Sequence, residues 1–330
     1  MITIYILSLG LGAFGAVVIR RYGEWAGLMD LPGGRSSHST PTPKGGGIGI
    51  LASFVLVSLV IGMPNVFWLA GGVVSLVGLY GDRIHLSPKF RLIVQFGVAV
   101  ILLTGMTFCQ GNPWVRLVLL FPTAVFIVGT ANFYNFMDGI NGLAALTGVL
   151  AFGLLACHLL LNGSDGALTP FAVSISLACL GFLPFNMPKA RVFLGDAGSV
   201  FLGFIFGVLV VLLSRSLLDV ICYAALLFPF YIDELTTMVV RIRRGEPLSR
   251  AHRRHLYQLL VNEKGIAHWK ITLGYGMLQL VVAVSVLLLK PVGMLPVLLF
   301  LGLASLVFIY VSFRVRVQVG EGVGELRGVE

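Results

Sequence analysis

Apolar residues run through this chain in long blocks with short polar breaks, at positions 2–19, 45–62, 66–80, 92–108, 117–131, 142–161, 169–186, 198–213, 220–240, 270–289 and 291–313. A helix needs about 20 mostly apolar residues to cross the hydrocarbon of a bilayer, so the pattern predicts an all-α, polytopic membrane bundle of about ten or eleven transmembrane helices. The breaks are too short for a separate soluble domain. Residues 1–330 are therefore expected to form a single transmembrane domain, with polar loops at 20–44, 81–91, 132–141, 187–197 and 241–268 and a tail at 314–330. No sequence repeat is visible, and the glycine-rich stretch 319–330 is predicted to be disordered. The first block reads as a retained span: Arg20 and Arg21 follow it, no basic segment precedes it, and no small-residue cleavage site ends it.

Composition sharpens this picture. Hydrophobic residues make up 57% of the 330 and charged residues 11%, where soluble domains carry about a quarter charged residues. The formal charge of +9 does not point to nucleic acid, because its sources sort by side. Counting from an N-terminus outside, every lysine and arginine except Arg116, Arg215 and Lys290 falls on an inner segment. That asymmetry predicts a periplasmic N-terminus, a cytoplasmic C-terminus and basic loops resting on anionic membrane lipids. It also places every polar cluster of interest on the cytoplasmic side, although Lys and Arg alone set it. Cys109, Cys157, Cys179 and Cys222 lie in or beside apolar blocks without metal-ligand spacing and read as packing residues.

The inner segments carry the candidate chemistry. Asn132, Asn135 and Asp138 are spaced by threes, which on a helix gathers two amides and an acid near one face, a set that can hold an ion. Arg35, His38 and Lys44 precede Gly45, Gly46 and Gly47. Cations with approachable backbone N–H groups suit a phosphate, and a flexible basic loop is the plain alternative. Asp82 stands beside Arg83 where a block ends, and Asp196 stands among glycines where another begins. Alone, these read as a surface pair and a helix cap. Together, Asp82, Asp138 and Asp196 put three carboxylates at cytoplasmic helix ends, a donor set for a hard cation such as Mg2+ that keeps waters and binds phosphates. Asp233 and Glu234 fall inside the block 220–240, where acids are functional candidates or ion-pair partners. His252 and His255, which share a face if helical, sit among arginines, Arg254 included, that suit a diphosphate. Neither a thiolate nor metalloprotease spacing supports zinc there.

From about Asp30 to Gln258 these segments resemble the polyprenyl-phosphate N-acetylhexosamine-1-phosphate transferases, glycosyltransferase family 4. Asn132 to Leu143 is similar to the asparagine-rich DG motif of that family, Leu194 to Ser199 to its GDxGS motif and Ala251 to Gln258 to its histidine motif. Asp30, Pro32, Arg35, His38, Thr42, Pro43 and Gly45 to Gly47 fit its first loop. The form of the histidine motif resembles the branch that starts O-antigen and related surface glycans.

The resemblance implies transfer of an N-acetylhexosamine 1-phosphate from a UDP-sugar to undecaprenyl phosphate, with release of UMP. It further implies a bacterial inner membrane, an active site facing the cytoplasm, Mg2+ or Mn2+ as cofactor, and a homodimer as one assembly to expect. It assigns Asp196 and Asp138 to the metal, Asn132 and Asn135 to the metal and uridine-diphosphate site, and Asp82 to the neighbourhood of the attacking phosphate. Lys44, His252, Arg254 and His255 fall to the diphosphate. Two positions depart from the family: Gly81 replaces the first of a usual aspartate pair, and Asn141 stands where many members have Asp. Gly81 leaves open a weakened enzyme that binds without turnover. A transporter is the rival from another class, disfavoured because the acids do not run through the spans. Nothing in the sequence chooses among N-acetylglucosamine, N-acetylgalactosamine, N-acetylfucosamine and N-acetylquinovosamine.

Overall fold

The computed structural model describes residues 1–33, 37–84, 86–106, 113–163, 166–248 and 252–320; Arg35, Ala251 and the end of the glycine-rich tail lie outside them. In chain order the elements are α1 (Ile2–Tyr22), the strands β1 (Met29–Asp30) and β2 (Thr42–Pro43), α2 (Ile48–Ile61), α3 (Asn65–Arg83), α4 (Pro88–Gly105), α5 (Pro113–Phe136), α6 (Leu143–Leu161), α7 (Leu168–Asn186), α8 (Asp196–Leu213), α9 (Leu217–Ala224), α10 (Phe228–Arg243), the single turn α11 (Leu256–Gln258), α12 (His268–Leu289) and α13 (Met294–Gln318). The two short strands pair antiparallel, with Met29 opposite Pro43. Among the described residues the protein is thus an all-helical, polytopic membrane bundle apart from this small hairpin.

Every apolar block has its helix, but the count of full spans is lower than expected. Among the described residues, eight helices are long and apolar enough to cross a membrane: α1, α4 to α8, α12 and α13. The blocks at 45–62, 66–80 and 220–240 fall short. α2 has only 14 residues, and α3 carries Asn65, Asp82 and Arg83 within its own length. The third block is broken into α9, a 3-10 turn at Ala225–Leu227 and α10, with Pro229 in the first turn of α10. Proline has no N–H to give to the preceding turn, so the ladder restarts there. α13 also runs past the expected end at 313, to Gln318.

α8 is the axis of the bundle, buried from Ala197 to Val210. Its Phe201 meets Phe54 of α2 edge to face at 5.0 Å, and Phe54 meets Phe171 of α7 in the same way at 5.0 Å. Each such pair adds about 0.5–1.5 kcal/mol to plain burial. α13 lies at the periphery with Leu295, Leu299, Leu303 and Leu306 exposed, as a lipid-facing helix requires.

The start of α8 is fixed by close backbone approach. A Cβ on Gly47 would overlap the backbone of Gly198. The amides of Gly46 and Gly47 donate to the carbonyls of Phe193 (2.9 Å) and Leu194 (3.0 Å). The glycines that suited a phosphate loop therefore join two chain segments, in the way small residues let membrane helices approach. Gly47→Ala is expected to cost about 1–3 kcal/mol by overpacking, read as a lower melting temperature in detergent. Gly72→Ala, whose added carbon would meet nothing, is expected to leave that temperature unchanged.

Candidate active site

The ends of α3, α5 and α7, the start of α8, Asp30, Ser37, His38 and Lys44 of the first loop, the loop at 137–142, α11 and the start of α12 converge on one cavity of about 310 Å³. Asp82, Asp138 and Asp196 all line it, as do Lys44 and Asn135. Segments far apart in sequence are thus brought together at one end of the bundle.

Asp82, in the last turn of α3, is buried. Its Oδ2 accepts from the amide of Ala197 (3.3 Å), and its Oδ1 lies 3.8 Å from Nζ of Lys44. It therefore caps α8 from a different helix, where a negative charge also meets the positive end of the helix dipole. It makes no surface pair with Arg83. Asp196, the first residue of α8, is ion-paired with Arg91 of α4. Gly195 before it has φ +73, and a Cβ there would run into Asp82 and Gly45. Asn135 Oδ1 accepts from the hydroxyl of Ser199 (2.8 Å), tying α5 to α8.

Asp138 sits in the turn after α5. No ion pair reaches it among the described residues. Burial, then the charges of Asp196 and Asp82, push its carboxyl well above the usual carboxylate range. Three carboxylates thus share a cavity with Lys44, and Arg91 is paired with one of them, Asp196. Among the described residues no group of three His, Cys, Asp or Glu is placed to hold a metal ion by itself, so a divalent cation here would rest on two carboxylates and on substrate phosphates.

Other sequence-predicted residues stand elsewhere. α5 ends at Phe136, so Asn132, Asn135 and Asp138 do not form one helical face. Asn132 points between helices, donating to Gln95 Oε1 and the carbonyl of Val128 (both 2.7 Å), and does not line the cavity. Neither do His252, Arg254 or His255. Residues 252–254 are not helical, although the two imidazoles lie 4.9 Å apart. His255 is buried, with Nε2 3.3 Å from Glu234, and it stands at the N-cap of α11. Asp233 accepts from the amide of Leu256 (2.8 Å) and the hydroxyl of Tyr275 (2.7 Å). The acids inside the block 220–240 therefore anchor the histidine segment. That segment reaches the cavity through Gln258, and the hydroxyl of the buried Tyr257 donates to the carbonyl of Phe136 (2.9 Å) and covers Gly139 so closely that a Cβ would not fit.

Sequence reasoning missed Arg91, Asn186 and His268. Arg91 counted only toward membrane orientation, because nothing local marks its partner. Asn186, in the last turn of an apolar helix, accepts from the amide of Gly142 (2.7 Å) and donates to the carbonyl of Val192 (2.8 Å). An amide ending an apolar block was a readable signal. At Gly81 there is room for a side chain, beside those of Leu86 and Arg91.

A family profile described as Glycosyl transferase family 4 matches residues 49–214. The chain is 26% identical to the probable undecaprenyl-phosphate N-acetylglucosaminyl 1-phosphate transferase of Bacillus subtilis (strain 168), over 83% of this chain and 80% of that protein. It is 31% identical to the undecaprenyl-phosphate alpha-N-acetylglucosaminyl 1-phosphate transferase of Thermotoga maritima, over 74% and 76% of the two chains. With the decaprenyl-phosphate N-acetylglucosaminephosphotransferase of Mycobacterium leprae the identity is 30%, over 73% and 72%.

Burial, with the charge of His255 next and those of Arg241 and Arg316 after it, lowers His252 to about 4. Burial, then Arg316 and Arg241, lowers His255 to about 3. A histidine whose folded pKa lies below its unfolded value of about 6.5 adds stability above that value and loses it as the pH falls toward the folded one. This contribution is therefore expected to be lost between about pH 6.5 and about pH 4, so that acidification over that range lowers the melting temperature of the wild type more, or raises it less, than that of His255→Gln. An identical pH profile in the variant would contradict a neutral buried imidazole.

Proposed function

The chain belongs to glycosyl transferase family 4, and we propose that it transfers N-acetylglucosamine 1-phosphate from UDP-N-acetylglucosamine to undecaprenyl phosphate, releasing UMP. The observation that carries this reading is the single cavity in which Asp82, Asp138 and Asp196 meet Lys44, with Arg91 held against Asp196. Opposed charges at helix ends suit a diphosphate delivered from water and a phosphate delivered from the bilayer. The names of the Bacillus, Thermotoga and Mycobacterium relatives support the choice of sugar and of a polyprenyl acceptor. The form of the histidine segment supports an O-antigen or related surface glycan as the product's destination. The Lys and Arg asymmetry supports a cavity facing the cytoplasm of a bacterial inner membrane.

In the reaction an oxygen of the lipid phosphate attacks the phosphorus that bears the sugar. The bond from that phosphorus to the bridging oxygen breaks, and UMP leaves with the electron pair. Such a transfer depends on positioning and on neutralising charge at the diphosphate oxygens. Lys44 and Arg91 supply fixed positive charge. Asp82 holds the start of α8, and with it Asp196, in place. Asn135 and Asn141 offer amides at the same wall. Asp196 and Asp138 would hold Mg2+, or Mn2+ in its stead, which when bound adds positive charge at the diphosphate. His252, Arg254 and His255 act on this reading by supporting Tyr257 and Gln258.

Purified protein with Mg2+ is expected to release UMP from UDP-N-acetylglucosamine only when undecaprenyl phosphate is present, and chelation is expected to stop it. Asp196→Asn is expected to lower turnover about a hundredfold or more. Wild-type turnover in a folded Asn variant would remove Asp196 from the reaction, and sugar flux into vesicles without UMP would mark a transporter. A large gain in Gly81→Asp would identify the native chain as a weakened enzyme.

A further inference from the structure

We infer that His268 is a positioning residue for Asp138, holding the loop at 137–142 against the start of α12 at the cavity wall; this rests on the transferase reading above. His268 opens α12, is half-buried and lines the cavity. Its Nδ1 accepts from the amide of Asn141 (3.2 Å). One turn further along α12, the buried Thr272 donates its hydroxyl to the carbonyl of the same Asn141 (2.8 Å). α12 therefore grips both backbone groups of one residue, three positions after Asp138.

The rest of the loop is held from other sides. Tyr257 takes the carbonyl of Phe136, and Asn186 takes the amide of Gly142. His268 and Ser37 of the first loop line the same cavity, and the Ser37 backbone favours a proton on the imidazole. A neutral imidazole that accepts at Nδ1 carries its proton on the other ring nitrogen, Nε2.

The two ring nitrogens can be separated chemically. An asparagine side chain places an oxygen where Nδ1 stands and can still accept from Asn141, but falls short of the far ring nitrogen. A glutamine reaches the far position and gives up the near one. An alanine replaces neither.

The test measures UMP release by wild type, His268→Ala, His268→Asn, His268→Gln, Thr272→Val and the His268→Ala/Thr272→Val pair. Hydrogen exchange of the backbone at 137–143 is followed in the same proteins. Misplacing a working group by about an ångström costs up to about a hundredfold. His268→Ala is expected to lower kcat by about ten- to a hundredfold with little change in KM for the UDP-sugar, and to speed exchange in the loop. His268→Asn is expected to recover most of both effects, and His268→Gln neither. The double variant is expected to be no worse than His268→Ala, since both side chains act through Asn141.

The inference is overturned by wild-type kcat and exchange in His268→Ala, by rescue from Gln and not Asn, or by additive losses in the double variant. A raised KM with no rescue would instead make His268 a direct substrate contact. If the wild type released no UMP, the transferase reading would fall, and the exchange series would still decide whether His268 holds the loop.

Discussion

A buried helix start leaves amides that only the protein can satisfy, and α8 solves this with a carboxylate from another helix. Asp82 accepts from Ala197, while Gly198 and Ser199 donate to the carbonyl of Gly195. Everything else at the cavity is set from this junction. Gly47 packs against Gly198, the first loop bridges to Phe193, and Asp196 projects from the turn so fixed. The charge that completes the fold is thus also part of the cavity wall. Losing it leaves an unpaired donor in the core as well as one charge fewer in the site.

Around this junction the polar groups divide into those that face the cavity and those that hold its wall. Asp233 and Glu234 belong to the second kind. An acid in an apolar helix is costly, and for Asp233 the cost is offset by hydrogen bonds from Leu256 and Tyr275. The return is a rigid turn, α11, that presents Gln258 to the cavity and lays Tyr257 over Gly139. Two segments more than a hundred residues apart meet there as ring against bare backbone.

The helices were legible in the sequence because apolar blocks of bilayer length have few other uses. The break at 225–227 was not, since Pro229 is as apolar as its neighbours and reveals itself only through a missing hydrogen bond. Asp82, Asp138 and Asp196 were legible as a set, because acids at the edges of apolar blocks need company. Which groups they meet was hidden. Arg91 lies 105 residues from Asp196, and spacing along a chain says nothing about such a pair. At the histidines a cationic cluster suggested a ligand, and the contacts hidden from the sequence are internal ones, His255 beside Glu234 and His252 accepting from the amide of Arg254. His268 gave no signal beyond being a polar residue at the head of a span.

Arg316 gives the outermost helix a say in this arrangement. It is buried near the end of α13 and donates to the carbonyl of Arg254 (2.8 Å) and the hydroxyl of Thr237 (3.1 Å). The remainder of α13 faces outward, where lipid is its neighbour. Helix tilt answers to the thickness of the hydrocarbon around it. A change of lipid length therefore has a mechanical route inward, from α13 through residue 254 to Tyr257 and the turn that carries Asp138, which makes bilayer composition a variable of the site's geometry as well as of its lipid supply.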